Sequence, residues 1–359
     1  MLVSIIIPVF NAGSYLFEAL DSAINQTYKN IEIIIVDDGS TDGSGKICDR
    51  YACIDQRIRV VHQKNKGLSN ARNTGLDMMR GDMVAFLDSD DAYQINYIET
   101  MVDALVKEKT DLVICKYTVN YTTGKMNCES RTVVSEKRKL KPAIETGTYN
   151  RESALRALVN GTINCSVWNK LYKKELWSTI RFPDGHVYED IDTAYRVFDQ
   201  CANVFVLAKP LYMYRKRSGS IMETCSKKNI TDCILACSHV ESFVMVNTPI
   251  VFSEDNLVNS CLPRIKAMII YYALYSGDKH DTNELLFCDY IKRQIMQAVD
   301  NIGLDKCGMR ISLCSFLISY WPGALRIIYK VYHRIRRIAL IRSMIFINCI
   351  RESIFQYYD

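Results

Sequence analysis

The chain has 359 residues, of which 48% are hydrophobic, enough for a sizeable core and too many for a disordered chain. The net charge is only +5, yet seven Lys/Arg and no Asp or Glu lie between residues 323 and 351, which leaves the remaining chain at about −2. The basic end, not the whole protein, is built for an anionic partner.

The fourteen cysteines form no CxxC pair, and several, such as Cys115 and Cys201, sit inside apolar runs. That pattern reads as reduced structural thiols in a reducing compartment, rather than a disulfide framework or zinc site. Residues 2–8 enter directly into a β-branched run and read as a strand, not a signal peptide. No uninterrupted apolar run approaches the roughly 18 residues that a membrane span needs.

In chain order, residues 2–10 are nearly all apolar, as in a strand buried on both faces. Leu16, Ala19, Leu20, Ala23 and Ile24 then recur at helical spacing. Residues 31–36 predict a second buried strand, 41–51 a helix, 58–61 a short strand and 68–79 a helix. A strand follows at 83–87, a helix at 95–107 and a strand at 112–115. This alternation predicts an α/β fold with a doubly wound, mainly parallel sheet flanked by helices. Ligands of such sheets bind at the carboxyl ends of the strands. The stretch 120–148 is polar and leaves the sheet. A helix is expected at 151–160, a short strand at 204–207 and mainly helices over 226–299.

Three polar clusters follow directly on predicted strands: Asn11-Ala12-Gly13, Asp37-Asp38-Gly39-Ser40 and Asp88-Ser89-Asp90-Asp91. All three should meet on one rim. Three carboxylates in four residues repel one another unless a cation is present. Oxygen-only ligands in a loop suit Mg²⁺ or Mn²⁺, which also bridges nucleotide phosphates. The bland reading is a polar loop capping the next helix. Other phosphate sites fail. The glycines at 39, 43 and 45 do not make GxGxxG, and Gly45-Lys46 is followed by Ile47, so it is no P-loop. Ala92 spoils a phosphatase-like DxDx[TV] pattern.

The motifs taken together resemble a family 2 glycosyltransferase with the GT-A fold, of the bacterial capsular, exopolysaccharide or O-antigen type. The residues that carry the resemblance are Ser4-Ile5-Ile6-Ile7-Pro8-Val9-Phe10-Asn11, Val36-Asp37-Asp38-Gly39-Ser40-Thr41-Asp42, Asn65-Lys66-Gly67-Leu68-Ser69-Asn70-Ala71-Arg72-Asn73, Phe86-Leu87-Asp88-Ser89-Asp90-Asp91, Trp168-Asn169-Lys170-Leu171-Tyr172 and Tyr188-Glu189-Asp190. The match covers roughly residues 1–221. It implies a nucleotide-sugar donor, with UDP the first choice of nucleotide, held by Pro8, Val9, Asn11, Asp38, Asn70, Arg72, Asp88, Ser89 and Arg217. Val9 and Asp38 would contact the base, and Arg72 the base or the diphosphate. Asp88 would serve the ribose or metal region and Asp90 would ligate Mn²⁺ or Mg²⁺.

The same resemblance makes Asp190 the general base, with Glu189 its orienting partner, in an inverting displacement. Both acids also suit the first turn of a helix at 191–198, and the two roles are compatible. Arg217 lies in a basic turn, 214–220, that resembles the family's mobile loop, and a solvated turn is the alternative. Trp168 suits a sugar-stacking face or a place in the core equally.

Residues 325–338 place Ile328, Val331, Ile335 and Ile338 on one side of a helix and Arg326, Lys330, Arg334 and Arg337 on another. This is the pattern of a helix in an anionic membrane interface, and a packed helix or dimer contact is the alternative. The expected organisation is a catalytic region at 1–225, with donor half 1–115 and acceptor half 116–225. A helical region at 226–305 and a membrane-associating tail at 306–359 follow. The expected acceptor is a glycan or polyprenyl-linked sugar, at the inner face of the cell membrane in surface-polysaccharide synthesis, with no nucleic acid as partner. A nucleotidyltransferase also uses a similar sheet and carboxylate-bound metal, but Pro8-Val9-Phe10-Asn11-Ala12-Gly13 is not the glycine-rich basic loop it needs. A noncatalytic nucleotide-sugar or glycan binder is the third reading, and intact Asp88, Asp90 and Asp190 argue against it.

Overall fold

The computed structural model describes residues 1–121, 145–216, 226–248, 250–276, 282–321, 323–325 and 327–328. The chain divides into two compact units, Met1–Leu158 with Cys165–Thr224, and Val159–Asn164 with Cys225–Asp359.

The first unit opens with β1 (Val3–Val9), α1 (Tyr15–Ile24), β2 (Ile31–Asp37), α2 (Ser44–Ile54), β3 (Ile58–His62), α3 (Leu68–Met78) and β4 (Met83–Phe86). Every residue of β1 and β2 is buried, because helices cover both faces of the sheet. The side-chain period of two splits their apolar residues. Ile5, Ile7, Ile33 and Ile35 join one core with α1, while Ile34 and Val36 pack with Ala71 of α3. The four strands are parallel in the order β3-β2-β1-β4. α3 comes so near β1 that a Cβ on Gly75 would overlap Ile6.

The unit continues with β5 (Ala92–Tyr93), α4 (Tyr97–Glu108), β6 (Leu112–Tyr121), β7 (Gly147–Asn150), α5 (Arg151–Val159), β8 (Lys170–Lys173), α6 (Glu189–Gln200) and β9 (Asn203–Lys216). β8 inserts antiparallel between β4 and β6. β9 runs parallel to β6 and pairs antiparallel with β5 and β7. The result is the expected mainly parallel sheet flanked by helices, with three strands that the sequence reading did not separate: β5, β7 and β8. β9 is also far longer than the predicted 204–207. Most of the polar stretch 120–148 lies outside the described residues.

The second unit is helical, as expected for 226–299: α7 (Lys227–Val246), α8 (Glu254–Tyr275), α9 (Thr282–Ile302) and α10 (Leu304–Tyr320). Ser253 and Asn256 cap α8 reciprocally. Arg264 of α8 donates to Glu241 of α7 at 2.5 Å. Among the described residues no helix is long and apolar enough to cross a membrane. The described cysteines are all thiols, and all but Cys53 are buried.

Candidate active site

The strand order reverses between β1 and β4, so the carboxyl ends of β1, β2 and β4 flank a crevice. The loops that leave β1 and β2 are latched together. Asn11 sits in the left-handed region with φ 48°. Its Oδ1 accepts the Thr41 amide at 2.8 Å, and its own amide donates to Ser40 Oγ at 3.1 Å. Gly13 N–H donates to Asp42 at 2.9 Å. Gly39 has φ 76°, and a Cβ there would stand 2.9 Å from the Asn65 amide nitrogen. Only glycine permits both the turn and the close approach.

Asp38 is buried, and its carboxylate accepts the amides of Lys66 at 2.9 Å and Gly67 at 2.8 Å, and Gln63 Nε2 at 2.8 Å. Its backbone N–H donates to Val9 O at 2.8 Å. Asp38 and Val9, expected at the nucleotide base, thus meet where the carboxyl ends of β1 and β2 adjoin. Asp38 organises the loop at residues 63–67, and Pro8 and Val9 are buried strand residues whose side chains are packed. Asn70 accepts from Gln63 at 3.1 Å and reaches Asp184 at 3.4 Å. Gln63, which the sequence reading did not single out, thus ties Asp38 to α3.

The carboxylates after β4 divide into different tasks. Asp91 is buried, accepting the Tyr212 hydroxyl at 2.6 Å and the Arg215 amide at 2.7 Å. Burial raises its pKa well above the carboxylate range, and Asp88 and Asp90 add to this. Arg215 Nε also donates to the Asp90 carbonyl at 2.8 Å, so β9 clamps the loop from behind. Asp88, Ser89 and Asp90 are half-buried. Among the described residues no group of three His, Cys, Asp or Glu side chains forms a metal cage. With Asp91 turned inward, Asp88 and Asp90 are the oxygen donors at the rim. Such a pair fits a hard divalent ion that brings phosphate oxygens and water with it.

Arg72 joins this loop to a helix more than a hundred residues further on. Its guanidinium is 2% exposed, donates from Nη2 to Asp88 Oδ1 at 2.8 Å and from Nη1 to Glu189, and lies over the Phe182 ring at 5.5 Å. Burial works against its charge, but Asp88 and Glu189 outweigh that and raise its pKa above the ordinary arginine value. Arg72 was expected to touch the base or diphosphate. In the described structure two carboxylates, Asp88 and Glu189, engage its terminal nitrogens.

Glu189 and Asp190 open α6 directly after Tyr188, a bulky residue held at φ 64°. A left-handed tyrosine costs free energy of order 1–3 kcal/mol and persists only where surroundings enforce it. Asp190 Oδ1 accepts the Ile191 amide at 2.8 Å, and Oδ2 accepts the Cys165 thiol at 3.6 Å. Burial pushes Glu189 up to about 7, against Arg72 and with the help of Asp190. Burial also raises Asp190, opposed by Arg72, the Ile191 amide, Cys165 and Lys170. Lys170 is fully buried, donates to the Ser166 carbonyl and to Asn169 Oδ1 at 3.0 Å, and is pushed down by burial to about 8. The adjacent carboxylates, both raised by burial, titrate as a pair. With Glu189 ion-paired, Asp190 is the member less committed to a cation.

Cys165 and Lys170 were not expected here. No spacing rule points to Cys165, and Lys170 entered the sequence reading only as part of the motif at 168–172. Trp168 is buried and stacks on Tyr212 at 4.3 Å and Tyr214 at 5.4 Å, so its place is in the core. Arg217 and most of the basic stretch 325–338, expected to be a helix, lie outside the described residues. Chemically, the rim offers the half-buried carboxylates Asp88 and Asp90 and, joined to Asp88 through one arginine, the buried carboxylate pair Glu189 and Asp190, whose raised pKa values suit proton transfer.

A family model described as Glycosyl transferase family 2 matches residues 4–176. The glycosyltransferase GlyG of Streptococcus pneumoniae is 35% identical over 257 residues, which span 66% of this chain and 81% of GlyG. The cholesterol galactosyltransferase of Borreliella burgdorferi is 30% identical over 312 residues, 84% of this chain and 83% of that protein. The crystal structure of S. aureus TarS 1-349 in complex with UDP-GlcNAc shares the fold, with a TM-score of 0.58 at 20% identity over 91% of this chain and 88% of TarS 1-349.

Proposed function

The chain belongs to glycosyl transferase family 2, and from that premise we propose that it moves a hexose from a nucleotide-sugar, UDP-linked by first choice, to a glycan or lipid-linked acceptor with inversion at the anomeric carbon. The observation that carries this reading is the single guanidinium of Arg72 held by both Asp88 and Glu189. The shared guanidinium brings Asp88 beside the α6 carboxylate pair, which supports reading Asp88 as donor-side and the pair as acceptor-side.

In this mechanism Asp190 accepts the proton of the acceptor hydroxyl as that oxygen attacks the anomeric carbon, while the nucleoside diphosphate leaves from the opposite face. Direct displacement inverts configuration. Glu189, ion-paired to Arg72, orients α6 beside Asp190, whose basicity burial raises. Asp90 and Asp88 would hold Mn²⁺ or Mg²⁺, which supplies Lewis-acid stabilisation of the leaving diphosphate. The loops around Asn11, Asp38 and Asn70 shape the nucleotide end. A UDP-sugar is supported by the structural neighbour that binds UDP-GlcNAc, and a lipid-class acceptor by the relative named for cholesterol. A role in cell-surface polysaccharide synthesis follows the motif pattern of residues 4–11 and 86–91.

The test is a panel of UDP-, GDP- and dTDP-sugars with Mn²⁺, read by donor binding and by hydrolysis or transfer. One donor is expected to bind and turn over, and Asp90→Ala is expected to weaken its binding at least about ten-fold. No binding or turnover of any donor, with Asp90→Ala indistinguishable from the parent, rejects the enzyme reading.

A further inference from the structure

In the second unit, α10 has two unlike sides. Cys307, Ile311, Cys314 and Ile318 are buried, and the helix packs on α8 and α9. Leu313, Phe316 and Tyr320 recur on the other side at helical spacing, with Phe316 49% and Tyr320 69% exposed. Trp321 follows at 65% and Ile327 is exposed beyond it. The Phe316 ring lies 4.8 Å from Tyr320 and 6.2 Å from Trp321, so the aromatic residues form one patch. Residues 311–325 contain no Asp, Glu, Lys or Arg. A contiguous exposed patch of large apolar side chains marks an interaction surface.

The charge of the neighbouring sequence identifies the partner. The seven Lys/Arg between residues 323 and 351 begin with Arg326, five residues after Trp321, and no acid interrupts them. A second copy of the chain would bring a second such segment against the first. Nucleic acid would accept the charge but leave the aliphatic part of the patch unmatched. An anionic lipid surface accepts both. Trp, Tyr and Phe favour the level of the headgroups, and adjacent cations lie over the anionic phosphates. The absence of a spanning helix among the described residues fits a helix that lies in the interface.

We propose that the outward face of α10, from Leu313 to Trp321, is a lipid-docking face that acts with the basic sequence after it to seat the enzyme on an anionic membrane surface. This face lies within the expected tail at 306–359 and upstream of the stretch 325–338, where the charge pattern is found. The face carries no donor-site residue, so its failure would leave the transferase reading untouched.

The experiment uses the full chain and vesicles of phosphatidylcholine, with and without phosphatidylglycerol. The protein should cosediment with the anionic vesicles and not with pure phosphatidylcholine, and 0.5 M salt should weaken binding at least about ten-fold. Trp168 and Trp177 are buried, so a blue shift of tryptophan emission on vesicles reports Trp321. Phe316→Ser with Trp321→Ser should lower vesicle affinity at least about ten-fold while circular dichroism and donor binding stay unchanged. Arg334→Glu with Arg336→Glu and Arg337→Glu should do the same through charge. Three results would overturn the proposal: no vesicle binding, binding indifferent to the Phe316/Trp321 pair, or self-association abolished by that pair in place of vesicle binding.

Discussion

With one terminal nitrogen on Asp88 and the other on Glu189, Arg72 compensates two carboxylates that are far apart in the sequence. Removing one partner of a buried ion pair costs about 3–5 kcal/mol, because the group left behind stays charged and desolvated. Arg72→Met should therefore lower unfolding free energy by about that amount in urea denaturation. Arg72→Lys keeps the charge but lacks the fork that spans both carboxylates, and should fall between the two. The proton-taking pair makes a second prediction. Because burial raises both carboxyls, the active ionised form is lost at a higher pH than for an exposed carboxylate. The acid limb of kcat/KM should lie above the ordinary carboxylate range and belong to the pair. The Cys165 thiol donates to ionised Asp190, so Cys165→Ala should move that limb to higher pH. A net hydrogen bond contributes about 0.5–1.5 kcal/mol, and a thiol is a weak donor, so the shift should be about half a unit to one unit. Cys165→Ser, a stronger donor of similar size, should move it the other way. A limb that ignores both substitutions would show that Cys165 merely packs.

Among the elements, α3 against β1 is the tightest packing that the site depends on. Gly75→Ala would gain up to about 1 kcal/mol of helix propensity, but overlap with Ile6 costs about 1–3 kcal/mol. Crowding should win, with a lower thermal midpoint and weaker donor binding as α3 shifts Arg72. An unchanged midpoint would mean that β1 yields freely. The same packing explains what sequence could tell. β1, β2 and β4 were legible because strands buried on both faces are continuous apolar runs. α3 was legible because Ala71, Gly75 and Leu76 are buried at helical spacing. β8 was not, because Lys170 and Lys173 flank it, and only the folded chain reveals that Lys170 is buried among backbone carbonyls. β9 was cut short at Lys209-Pro210, where a bulge lets the strand continue past the proline. Asp88, Asp90 and Asp190 could be picked out because their motifs are local. The parts played by Arg72, Cys165 and Gln63 depend on partners brought together by folding, and no local pattern carries that information.

For the whole molecule, the two units separate the tasks. The first holds every described residue of the candidate site, and the second is a helical body whose last described helix presents an apolar face beside a basic sequence. Membership of family 2 and the site geometry together make the central claim that Asp190 takes the acceptor's proton while Asp88 and Asp90 serve the donor. The direct measurement is a comparison of Asp190→Asn with the parent enzyme on the donor that it turns over, following donor affinity and transfer separately. Loss of a general base costs about 10²–10⁴ in rate. The account predicts a loss of that size in kcat with donor affinity within about two-fold of the parent. Transfer at the parent rate by Asp190→Asn, with the donor bound equally well, would contradict it.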